Sequence, residues 1–180
     1  MQIATSQTRE KYPLSPKKIV KKTIAGVIGW TIFLSIIFIT FGGIGIGIAV
    51  DANQNAASVL VSLLLTAVGF IILLSLIALL SYLYQRWYFV VYFYDILDDY
   101  IVIRKGPIAP TEITIPWERI QDVYVDQDIF DRMFGLYDVH LSTATITSGI
   151  QAHIDGVEKE AGDGLREALL EKIRSRISKK

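Results

Sequence analysis

Residues 115 to 136, IPWERIQDVYVDQDIFDRMFGL, read without a gap as a strand end stopped by Pro116, a second strand and a short helical turn ended by Gly135. From Ile120 to Asp126, Val123 and Val125 fall on one face and Asp122, Tyr124 and Asp126 on the other, the pattern of a strand with one buried side. Ile129, Phe130, Met133 and Phe134 then recur at spacings of one, three and four, which fits a helical turn better than a strand. Gly135 stands where such a turn ends in a left-handed conformation. The stretch contains no catalytic constellation.

Outward from it, Trp87 to Tyr94 reads as a strand, Asp95 to Asp98 as a turn, and Asp99 to Lys105 as the antiparallel partner, ending at Gly106-Pro107. Glu112 to Pro116 follows, with Ile113 and Ile115 inward. On the other side Tyr137, Val139, Leu141 and Thr143 alternate with Asp138, His140 and Ser142. Ile150, Ala152 and Ile154 alternate with Gln151, His153 and Asp155, so these two segments form a second hairpin. A loop centred on Ile146 and Thr147 sets His140 opposite His153. The last helix, about 157–178, starts near Val157 with Asp155 as cap and Glu158 three residues on, or restarts at Asp163 after Gly162. Its stripe of Leu165, Leu169, Ile173 and Ile177, joined by Ala168 and Leu170, must lie on the sheet. Residues 87–180 are therefore expected to be a six-stranded domain closed by a helix.

The chain is 52% apolar and 20% charged, too hydrophobic for an ordinary soluble domain. It has no cysteine, which excludes disulfides, thiolate metal sites, thiol redox and cysteine nucleophiles. The excess apolarity sits in two uncharged runs, Thr23 to Val50 and Ala52 to Gln85. Each exceeds the ~20 residues needed to cross a bilayer, so residues 23–86 read as a transmembrane hairpin with helices at about 24–48 and 57–83 and a short polar loop at 51–55. The 95 residues from Arg86 onward could not cover two such helices as a soluble core. Six basic residues precede the first helix, Arg86 follows the second and the loop has none, so both termini are expected to be cytoplasmic, in a multi-pass protein of the cytoplasmic membrane. Residues 1–22 read as a basic cytosolic arm, whose Lys17, Lys18, Lys21 and Lys22 would meet anionic lipid heads. Residues 86–155 carry five basic and eleven acidic side chains, so the domain is acidic and no nucleic-acid partner is expected.

Three patches in order, Arg104-Lys105-Gly106, then Ile115-Pro116-Trp117-Glu118-Arg119-Ile120-Gln121-Asp122-Val123, then Arg132-Met133-Phe134-Gly135-Leu136, give the chain a resemblance to the bacterial pleckstrin-homology-like, membrane-flanked domain family. The resemblance covers roughly residues 24–178. It implies a fold class of two transmembrane helices followed by a mainly-β PH-like barrel or sheet closed by a C-terminal helix. Two features depart from that pattern: Thr143-Ala144-Thr145 replaces a small Ala-Gly pair, and six strands stand where a full fold would have seven.

A PH-like fold suggests a phosphorylated lipid head as ligand, but the first loop, Asp95 to Asp99, is acidic and repels phosphate. Its three carboxylates could hold calcium, although a solvated turn explains them as well. The two imidazoles could share a metal or respond to pH, or be plain sheet-surface side chains. Nothing sets a base beside a Ser or Thr nucleophile, so the chain is expected not to be an enzyme and to need no cofactor, metal or small-molecule substrate. Trp117, Arg119, Gln121, Asp122 and Arg132 form a candidate docking surface for protein, or else Trp117 caps the core while the arginines pair with aspartates. Gly43, Gly45, Gly47 and Ala49 offer a candidate packing face on the first helix, for a second chain or for the hairpin's own second helix. The sequence thus points to a membrane-anchored module for protein interaction or oligomerisation, the alternatives being a lipid sensor or an accessory subunit of a transport or export assembly.

Overall fold

A computed structural model describes residues 6–52, 55–144 and 152–178. The chain divides into two compact units, residues 22–84 and residues 1–21 with 85–180.

The first unit consists of the greater part of two helices, α2 (Lys17–Asp51) and α3 (Ala56–Val91), both long and apolar enough to cross a membrane. Asn55 starts α3, its Oδ1 accepting the Ala57 N–H at 3.1 Å. Within the unit Phe38 meets Phe70, centroids 5.2 Å apart, and Gly26 lies close to Ser81.

The second unit is two three-stranded antiparallel sheets and a helix. One sheet orders β1 (Phe93–Ile96), β2 (Tyr100–Lys105) and β3 (Thr111–Pro116). The other orders β4 (Ile120–Asp126), β5 (Leu136–Thr143) and β6 (His153–Glu158). Period-two alternation sets the register, pairing Ile101 with Ile115 and Ile103 with Ile113 in the first sheet, and Val123 with Leu141 in the second. All six are buried or half-buried. α5 (Lys159–Ile177) buries Leu165 and Leu169 completely in the same core. The barrel that the resemblance implied is not closed: the sheets remain separate.

Three local expectations are corrected. Trp87 to Val91 is the last turn of α3 rather than strand, and β1 starts at Phe93. The Arg9 guanidinium stabilises that helix end, donating to the carbonyls of Phe89 at 2.9 Å, Val90 at 3.3 Å and Tyr92. Asp155 does not cap α5; Glu158 precedes the helix and makes no side-chain cap bond. Gly162 and Gly164 interrupt nothing, because α5 runs through both. At Gly164 a Cβ would lie 2.5 Å from the Tyr12 ring, so the missing side chain makes room for the N-terminal segment. The α4 turn (Ile129–Phe134) and left-handed Gly135, φ 67°, stand where the sequence put them.

The N-terminal segment differs most from the reading of residues 1–22 as an arm. α1 (Gln7–Lys11) lies on β1, with Ser6 Oγ donating to Tyr94 O and Thr8 bonding Asp95 Oδ1. Leu14 then bridges to Val157 on the edge of β6, and the Ser15 N–H donates to Gly156 O at 2.9 Å. One segment thereby covers an exposed edge of each sheet, the hazard that unpaired strands present. Leu14 is buried, so Leu14→Ala is expected to lower unfolding stability by about 2–4 kcal/mol, measured by chemical denaturation in detergent.

Candidate functional site

The five candidate docking residues do not share one surface. Trp117, on a 3₁₀ turn that begins after Pro116, is 1% exposed. Its indole N–H donates to Asp98 O at 2.9 Å and Leu97 O at 3.2 Å, tying the β1–β2 turn to the core. Arg119 and Gln121 are exposed and, with Glu118, line a groove of about 470 Å³ bounded by Thr114 to Pro116 and by Thr143 and Ala144. Asp122 is exposed, its Oδ1 accepting the Val123 N–H at 2.8 Å. Arg132 lies on α4 and does not line that groove. Where a PH-like fold would suggest a headgroup the carboxylates are engaged: Asp95, which lies on β1, with Thr8, and in the turn Asp98 with Lys172 at 3.0 Å and Asp99 with Arg176.

The expected histidine register is present, His140 standing opposite His153. Tyr124, His140 and His153 stack across β4, β5 and β6 with centroids 4.9 and 5.2 Å apart, and His140 Nε2 lies 3.1 Å from Asp126 Oδ1. The predicted loop between the two strands falls mostly at residues 145–151, outside the described residues.

The densest charged constellation was not singled out from sequence. It begins with α4, whose N-cap Asp128 accepts the Asp131 N–H at 2.6 Å while Asp131 Oδ2 accepts the Asp128 N–H at 3.3 Å. This reciprocal bonding buries Asp131 completely. Lys21, 1% exposed, places Nζ 3.1 Å from Asp128 Oδ2 and in closer contact with Asp131 Oδ1. Lys18, three residues earlier on the same face of α2, is 3% exposed. It donates to Asp155 O at 2.8 Å, stands 3.6 Å from Asp155 Oδ2 and lies over the Tyr92 ring at 4.2 Å. Gly156 permits this approach, since its φ is 82° and a Cβ would lie 2.7 Å from Lys18 Cδ. Asp138 Oδ1 completes the group by accepting the Gly156 N–H at 2.8 Å.

Four carboxylates thus surround two ammonium groups, and the imbalance falls on Asp138. Burial first, then the fields of Asp155 and Asp131, push its pKa up to about 7 against the Gly156 N–H. Burial likewise raises Asp131, with Lys21 opposing. Burial also acts to raise Asp128, but the Asp131 N–H and Lys21 outweigh it and hold that carboxyl low. Burial disfavours charge on Lys21, yet its bonds to Asp131 and Asp128 and the fields of Asp138 and Asp155 raise its pKa. Oxygens of Asp131, Asp138 and Asp155 lie within 4.8 Å of one another, a donor set suited to a hard cation. The Lys21 ammonium already meets that set through Asp131, so the protein supplies its own cation.

A family model described as Bacterial PH domain matches residues 32–173. The chain belongs to this family. No curated protein and no solved structure shows significant similarity to it. In this bacterial PH domain the family match begins within α2, while the residues that hold the start of α2, Lys18 and Lys21, precede the matched region.

Removing one partner of a buried pair strands the other charge. Lys21→Met is therefore expected to destabilise the second unit by about 3–5 kcal/mol, and Asp131→Leu added to it to recover most of the loss, in denaturation curves. Asp138 binds its proton more tightly folded than unfolded, so its contribution to stability is present below pH ~4 and is lost as pH rises through about 7. Asp138→Asn, which keeps an acceptor for Gly156, is expected to raise Tm above wild type at pH 8 and by much less at pH 5.

Proposed function

We propose that this bacterial PH domain is a non-enzymatic, membrane-anchored interaction module, held by its helical hairpin at the cytoplasmic face of the membrane, where it binds other protein chains, including copies of itself. The observation that carries the reading is the course of α2. Its first turn is built into the β-domain through buried Lys18 and Lys21, and the same helix continues into 28 residues without a charge, Thr23 to Val50. The start of α2 is thus a structural element of the β-domain. PH-like domains serve as protein or lipid interaction modules and are generally non-catalytic.

Protein is favoured over a phosphorylated lipid head because the first loop is acidic and the cations beside it, Lys172 and Arg176, are already paired with Asp98 and Asp99. The groove lined by Glu118, Arg119 and Gln121 supplies polar anchors of the kind that mark protein interfaces. On α2, Gly43 and Gly47 are exposed and a Cβ at either would touch nothing within 4 Å, so a neighbouring helix could approach there. Gly45 and Ala49 instead line a cleft that Val59, Ser62, Leu63 and Thr66 of α3 also line.

Crosslinking in native membranes is expected to capture a protein partner or a second copy, and Arg119→Glu with Gln121→Lys to reduce the yield about tenfold, as loss of roughly 1.4 kcal/mol would do. Gly43→Leu with Gly47→Leu separates a membrane contact from a groove contact. A strict monomer in mild detergent with nothing crosslinked to it would overturn the reading.

A further inference from the structure

α4 presents two large apolar side chains outward, Ile129 at 81% exposure and Met133 at 73%. They stand four residues apart on one helix face, with exposed Arg132 beside them. Phe130 and Phe134 are half-buried and face the domain more closely. Isolated exposed apolar residues need no explanation, but a pair on a single turn forms a small wedge. Its place in the chain says what covers it. Asp128 and Asp131, from the start of this same helix, are bonded to Lys21, and the uncharged run begins at Thr23, two residues later. Two residues of helix rise amount to ~3 Å. Of the two carboxylates at the start of α4, Asp131 is buried and the exposed Asp128 is paired with Lys21, while Arg132 is an exposed cation on the turn.

From this juxtaposition we infer that α4 is a membrane-interface wedge: Ile129 and Met133 enter the boundary between headgroups and acyl chains, and Arg132 meets lipid phosphate. The occupant is the bilayer in which the chain's own hairpin is embedded, so the inference rests on the membrane-anchored reading. Amphipathic segments with an apolar face and a flanking cation bind in this way, and an arginine can keep its stem in the apolar layer while its head reaches phosphate.

Because the chain has no cysteine, single labels can be introduced without removing any residue. Ile129→Cys, Met133→Cys and, within α2, Ile36→Cys would each carry a polarity-sensitive fluorophore in the full-length protein, reconstituted in phosphatidylcholine and phosphatidylglycerol nanodiscs. Quenching is then compared between lipids bearing a shallow nitroxide and iodide in the water. The expected result is lipid quenching at 129 and 133 that exceeds iodide quenching by about twofold or more, as for a shallowly inserted face. If Ile36→Cys is quenched from lipid while 129 and 133 answer to iodide, the wedge is wrong and the anchor stands. Shielding of 129 and 133 from both quenchers would assign the face to a protein partner or second copy and likewise overturn the proposal. Iodide quenching at 36 would remove the membrane-anchored reading itself.

Discussion

A lysine ammonium buried beside a buried carboxylate is the constraint on which this architecture turns. Taking either charge out of water alone costs several kcal/mol, so each is tolerable only with the other in place. Lys21 and Asp131 meet that condition, and the surrounding geometry follows from it. Asp128 must cap α4 to present its oxygens, and Lys18 must fall on the same face of α2 as Lys21. Gly156 must lack a side chain where the Lys18 stem passes. The fourth carboxylate, Asp138, pairs with no ammonium among the described residues and retains a proton up to about pH 7.

Two sheets remain separate here and still bury a common core, with the N-terminal segment along both. The segment from Ser6 to Ser15 lies on β1 through Ser6, Thr8 and Arg9, then reaches β6 through Leu14 and Ser15. The sequence shows six strands where a full fold of this family would have seven, and the Leu14 bridge puts N-terminal backbone on the free edge of β6. Tyr12 fills the space left by Gly164, and the Tyr94 hydroxyl donates to Tyr12 O. The segment that reads as a basic arm lies along β1 and the edge of β6 from Ser6 to Ser15.

The sequence was most informative where the signal is local. Alternation in Ile120 to Asp126, the helical spacing of Ile129 to Phe134, left-handed Gly135 and the His140 to His153 register are all visible in residue order, because each depends on neighbours or on one pairing. The bacterial PH family was legible too, from three short patches in order. What escaped was set by distant partners. Trp87 to Val91 looks like strand by aromatic and β-branched content, yet helix hydrogen bonding inherited from the apolar run and Arg9, 80 residues away, carry the helix through it. Lys18 and Lys21 looked like solvated topology signals, since no rule of spacing reveals that Asp131 and Asp155 lie more than a hundred residues on. Trp117 read as either a binding anchor or a cap on the core, and it is a core residue with its N–H satisfied. The same residue types serve both roles, and only burial distinguishes them.

The central claim is that the N-terminal segment, through the start of α2 at Lys18 and Lys21, is a structural part of the β-domain. Hydrogen exchange at the backbone amides of Thr8 and Ser15, bonded to Asp95 Oδ1 and Gly156 O, tests this in the full-length detergent-solubilised protein. Protection close to that of the β5 amides is predicted. Exchange at the rate of an unstructured peptide while β5 stays protected would contradict the account.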